Sequence, residues 1–167
     1  MKPSGKKLLV RSLIAVWAAA FAVSAVWIAA PFFSPPRKLS EVVPELADVR
    51  LTHAAAAQVT GTGNGTANRE ILAEWESFLS TATVTVSGWG PGHHFLGQTL
   101  PNRMIFVRDG GDPLLLWYWP DFRYGDYFYQ FSDADREKAE ELYRQLLQDD
   151  LPDPIGYSIN TGEVFDR

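Results

Sequence analysis

The chain has 167 residues and a formal net charge of −5; 46% of its residues are hydrophobic, 13% are aromatic and none is cysteine. Disulfides, thiolate metal sites, thiol catalysis and a lipid-modified cysteine are thereby excluded. Six of the 15 basic residues stand at or before Lys38 and all 20 acidic residues follow it, which leaves nine basic against 20 acidic residues, a net of −11, a poor surface for nucleic acid or anionic lipid.

The first 12 residues form a short basic tail with Lys2, Lys6, Lys7 and Arg11. Leu13 to Phe33 then runs without a charged side chain. At about 1.5 Å of rise per residue this run covers roughly 30 Å, the hydrocarbon thickness of a bilayer. Trp27, Phe32 and Phe33 stand near its outer end, where aromatic rings favour the interface, and Pro35-Pro36 stops it. Four basic residues precede the run and two, Arg37 and Lys38, follow it. That asymmetry predicts a cytoplasmic N-terminus and an outside C-terminal part. The rival reading is a signal peptide cut near Ala25, within Val23-Ser24-Ala25, which would release a secreted domain. The run is long for that class, and a retained anchor is favoured.

Residues 34–47 carry Pro35, Pro36 and Pro44 and read as a stiff tether with at most one helical turn. Residues 48–167 are enough for one compact domain. Alternation around Leu51, His53 and Ala55 predicts a first strand, and the glycines of 60–66 a flexible loop. Gly61-x-Gly63-x-Gly65 has the setting of a phosphate cradle, but the third fingerprint glycine is Thr66 and no Lys-Ser/Thr pair follows. Thr66 or Asn68 can cap a helix over 67–80, whose Ile71, Leu72, Trp75, Phe78 and Leu79 fall on one face. Strands are predicted over 81–87, 102–108, 114–119 and 127–131, the last three as a meander. Ser132-x-x-Asp135 resembles a capping box opening a helix over 133–148, with Ala139, Leu142, Tyr143, Leu146 and Leu147 as its buried stripe. A terminal hairpin is predicted around Asn160-Thr161-Gly162. The expected class is α+β: one antiparallel sheet of four to five strands with both helices on one face, behind a transmembrane helix.

The candidate ligand-binding residues are Trp117, Trp119, Tyr127 and Tyr129. In strands Trp117 and Trp119 share a face, as do Tyr127 and Tyr129, and an exposed platform of such rings would stack on sugars or a partner protein. Packing into the core against Trp75 and Phe78 is the competing role. His93 and His94, in a Gly-Pro loop, are the weak metal or hydrolase candidates, yet no spaced third ligand accompanies them. No nucleophile elbow or marked carboxylate pair occurs, no catalytic residue is assigned and no cofactor is expected.

The stretches Arg69 to Trp75, Pro101 to Phe106 and Tyr127 to Ser132 resemble those of small membrane-anchored extracytoplasmic domains of Gram-positive bacteria, over about residues 48–148. The resemblance implies location and architecture, not activity. The expected partners are the membrane, through Leu13 to Phe33, and a membrane or cell-surface protein. The expected role is a non-enzymatic interaction or sensing module, with wall-polysaccharide binding as the alternative and hydrolysis through His93 or His94 third.

Overall fold

A computed structural model of the chain describes residues 5–57, 62–89, 102–117, 119–158 and 163–166, arranged in two compact units, 1–34 and 35–167. The first unit is one helix, α1 (Gly5–Ala29), continued by a single 3-10 turn over Ala30–Phe33. Pro31 has no N–H to give the helix and sits at the start of that turn, where none is needed. Leu13–Phe33 has a mean hydropathy of 2.2 and none of it is buried within the unit. A helix of this length and apolar composition is long enough for a bilayer span or a signal sequence.

The second unit is α+β with antiparallel pairing throughout. Its strands are β1 (Arg37–Lys38), β2 (Leu51–Ala57), β3 (Thr62–Thr66), β4 (Thr83–Trp89), β5 (Arg103–Arg108), β6 (Leu114–Trp117), β7 (Phe122–Tyr124), β8 (Tyr127–Phe131), β9 (Pro154–Ser158) and β10 (Val164–Asp166). They form two sheets rather than the expected single one: four strands in the order β1-β4-β8-β7 and six in the order β10-β9-β3-β2-β5-β6. The expected meander is cut between β6 and β7. The Trp119 N–H still donates to Asn102 O at 3.2 Å, but Pro120 has no N–H with which to extend the ladder.

Helices α3 (Arg69–Thr81) and α4 (Asp133–Leu146) pack on one face of the six-stranded sheet, as their periodicity predicts. Trp75, Phe78 and Leu79 of α3 and Leu142, Tyr143 and Leu146 of α4 share one core with Ala54, Ala56, Met104, Phe106 and Leu116. Val84, Phe122 and Phe131 bring the four-stranded sheet into the same core. The opposite face of the six-stranded sheet carries a smaller cluster of Ala55, Ala57, Ile105, Ile155 and Tyr157.

Two segments depart from expectation. The stretch read as a tether belongs to the core: Leu39, Val43 and Leu46 are fully buried, and the Leu39 N–H donates to Ala82 O at 2.8 Å. It contains β1 and a turn of helix, α2 (Leu39–Val42). Leu39, Val42, Val43 and Leu46 keep the i, i+3, i+4, i+7 spacing of a buried helical face, which the flanking prolines obscure. Of the stretch read as a loop, Thr62–Thr66 with Gly63 and Gly65 forms β3, between β2 and β9, and residues 60 and 61 lie outside the described residues.

Both helix starts are capped as the sequence predicts. The Asn68 side chain accepts from the N–H groups of Glu70 and Ile71, and Ser132 from that of Asp135. Asp135 does more than close its box. One carboxylate oxygen accepts from the Thr83 N–H and hydroxyl, each at 3.0 Å, and from the Ser132 hydroxyl at 2.7 Å, tying α4 to β4. Burial pushes this carboxyl up, but the three bonds outweigh burial and hold it below its ordinary 3.8. A carboxyl lowered by folding contributes stability that is complete above its unfolded value and is lost as pH falls through the folded one. Acidification below about pH 4 is therefore expected to loosen the α4–β4 junction. Urea unfolding at a series of pH values checks this: Asp135→Asn is expected to be less stable at pH 7 and to show a flatter decline below pH 4 than the parent.

Candidate functional site

The four-stranded sheet presents two faces, and its register assigns every ring. Residues directly opposite one another across antiparallel strands share a face. Phe131 stands opposite Val84, Tyr129 opposite Val86 and Phe122, and Tyr127 opposite Trp89 and Tyr124. Three rows of side chains thus run across one face. The first, with Val84 and Phe131, lies in the core. The second, with Phe122 and Tyr129, is stacked at 5.4 Å with an interplanar angle of 18°. The third, of Trp89, Tyr127 and Tyr124, reaches the surface: Trp89 is 44% exposed and the two tyrosines are half-buried.

Trp89 joins this face only because β4 carries a register shift between Val86 and Gly88. Simple alternation from Val84 and Val86 would put Trp89 on the far side. The extra residue of a bulge turns it back onto the tyrosine face.

The tyrosines differ in their surroundings. The Tyr124 hydroxyl donates to Glu45 Oε2 at 2.8 Å, which raises the phenol above its usual range and holds the Glu45 carboxyl below its own. Burial raises Tyr129, against the opposing pull of the Arg37 guanidinium. Both phenols are protonated at neutral pH. The third row therefore offers apolar ring surface for stacking, with the Tyr124 hydroxyl already bonded to Glu45.

The expected platform is only partly assembled. Tyr127 and Tyr129 lie on this face. Trp119 does not: it is 2% exposed, lies against Trp75, Phe106 and Phe131 at centroid distances of 5.6, 6.2 and 5.3 Å, and donates its Nε1–H to Ala139 O at 3.1 Å. It is a core residue, and its assignment to a surface platform is corrected. A ring of this size that leaves its strand beside an apolar core gains more by burial than by exposure, provided its N–H finds an acceptor. Trp117 ends β6, in the other sheet; its side chain, like His93 and His94, lies outside the described residues. Trp89 and Tyr124 are the members that strand alternation alone does not supply.

No group of three or more His, Asp or Glu side chains that could hold a metal ion stands among the described residues. His53, on β2, is half-buried and its ring is held below the usual histidine range by burial, so it is neutral at pH 7. A shallow cleft of about 250 Å³ between β3, β9 and the end of α4 is lined by Asn64, Gln148, Asp149 and Ile155, among others. It holds no nucleophile paired with a base. No family model matches the chain, and neither a curated protein nor a solved structure matches it.

Proposed function

We propose that the chain is a single-pass membrane protein whose second unit stands outside the cytoplasm as a non-enzymatic interaction or sensing module. Its partner is a membrane or cell-surface protein. The observation that carries this reading is the unburied apolar helix over Leu13–Phe33, with four basic residues before it and an acidic domain after it. The small membrane-anchored extracytoplasmic domains that the sequence resembles have the same order of parts.

The domain's charge supports the assignment. A net of −11 beyond Lys38 disfavours nucleic acid and keeps most of the surface off anionic lipid. A protein partner with a basic face suits it better. The wall-polysaccharide alternative loses Trp119 to the core and would have to rely on Trp89, Tyr124 and Tyr127.

External protease on whole, wall-stripped cells is the test. Digestion is expected to remove residues 35–167 and leave a membrane-embedded fragment of the first unit. Protection of the domain until the cells are lysed would overturn the topology. A mature chain in the medium that begins near Val26 would instead establish signal cleavage. With the topology in hand, surface crosslinking in native membranes is expected to give a discrete adduct, and failure to trap any protein would remove the interaction role.

A further inference from the structure

Of the four asparagines in the chain, Asn64 alone is followed by glycine. Such a pair closes to a cyclic imide more readily than asparagine before a larger residue, because glycine leaves the attacking backbone nitrogen unscreened and turns freely into the ring geometry. The fold imposes the glycine. A Cβ at position 65 would lie 2.3 Å from Ala54 O and 2.7 Å from Ala55 Cβ, so packing admits no larger residue after Asn64.

The same fold holds the pair shut. β3 is paired along both edges: Asn64 stands opposite Ala56 of β2 and Gly156 of β9, and Gly65 opposite Ala55 and Ile155. Ring closure brings the Gly65 nitrogen onto Asn64 Cγ, which turns the backbone out of the extended conformation that both ladders need. Asn64 is half-buried and lines the cleft beside α4 with Gln148 and Asp149, so solvent reaches its amide while the ladders fix its backbone.

One of the two ladders is the weaker. β9 and β10 are the outer strands of the six-stranded sheet, and β10 has only three residues. Ile155 and Tyr157 of β9 rest on the smaller cluster, away from the interlocked rings of the main core. Opening an outer pair of this kind costs less than unfolding the whole domain. It leaves β3 as an edge strand held to β2 by three residue pairs, with both helices still in place.

We infer that Asn64 is a deamidation site gated by the opening of β9 and β10. In the opened chain the Gly65 nitrogen attacks Asn64 Cγ. The new C–N bond forms, the Cγ–Nδ2 bond breaks, and ammonia leaves with the proton of the Gly65 N–H. Water then opens the imide at either carbonyl and gives aspartate or isoaspartate, with no change of oxidation state. Isoaspartate routes the main chain through Cβ and Cγ, one carbon longer. β3 then cannot keep register with β2 and β9 at once, so the modification makes the opening permanent. The chemistry is the same on either side of a membrane.

Full-length protein in mild detergent at mildly alkaline pH, sampled over time and read by peptide mass spectrometry, tests this. The folded parent is expected to deamidate at Asn64 at least about tenfold more slowly than the parent unfolded in urea. Asn68, Asn102 and Asn160, each followed by a larger residue, are expected to change little in either state. Ile155→Ala empties part of the smaller cluster and is expected to speed deamidation at Asn64 several-fold, with the near-UV circular dichroism of the main core unchanged. A urea series below the unfolding midpoint makes the same measurement without a substitution, and the rate at Asn64 is expected to climb before the core unfolds. Equal rates at Asn64 in the folded and unfolded parent overturn the protection. An unfolded-state rate at Asn64 no faster than at the other asparagines overturns the site itself. A folded Ile155→Ala that keeps the parent's rate, or a urea series in which the rate rises only with global unfolding, overturns the gate.

Discussion

Trp75→Ala is expected to destabilise the second unit by about 3–5 kcal/mol, the range for deleting a fully buried large aromatic ring. Trp75 is 0% exposed and stands at the junction of three layers. It meets Phe78 of its own helix at 6.1 Å, Phe106 of the six-stranded sheet at 5.2 Å and Trp119 at 5.6 Å. Its nearest rings are themselves large and interlocked, so they cannot collapse into the void, and the cost belongs toward the top of the range. A domain of this size is stable by only about 5–15 kcal/mol, so the variant loses a large share of its margin. Urea unfolding of the full chain in mild detergent, followed by near-UV circular dichroism, measures the loss. Trp75→Phe is expected to cost far less. It keeps a ring in the site and removes an indole N–H that is buried without an acceptor among the described residues. Equal losses for the two variants would show that ring volume is not what Trp75 contributes.

Gly65→Ala is expected to cost about 3 kcal/mol or more, at or above the usual range for forcing extra atoms into a packed core. The reason is close approach, not backbone strain. A Cβ at this position would lie 2.3 Å from Ala54 O and 2.7 Å from Ala55 Cβ, so it meets the backbone of β2 and no rotamer relieves it. The β2 side of this contact is a run of buried alanines, in which Ala54, Ala55 and Ala56 stand opposite Thr66, Gly65 and Asn64. Gly110 is the opposite case. It has a φ of +67° in the β5–β6 turn with nothing within 4 Å, so alanine there meets only the left-handed penalty of about 1–2 kcal/mol. If Gly65→Ala unfolds in urea at the same midpoint as the parent, β3 does not pack on β2 as closely as described.

The glycines show why part of this fold escapes a linear reading. Gly63 and Gly65 in a polar stretch have the composition of a loop. Their place between β2 and β9 depends on two strands far apart in sequence, one of them an alanine run that leaves room only for glycine. The residues Leu39, Val43 and Leu46 carry the opposite lesson: their helical spacing is legible, and Pro35, Pro36 and Pro44 hide it.

Local chemistry determined what depends on neighbours in the chain. The apolar run Leu13–Phe33, the caps at Asn68 and Ser132, the buried stripes of α3 and α4 and the strand β8 all follow from periods of a few residues and from groups within one turn. The α+β class follows from them. Tertiary structure decided the division into two sheets, the removal of Trp119 to the core and the arrival of Trp89 beside Tyr127. Each of these turns on a backbone irregularity, Pro120 at the end of one ladder and the bulge before Gly88 in another. Which face a ring takes after such a break depends on the strand it pairs with, and that partner lies tens of residues away.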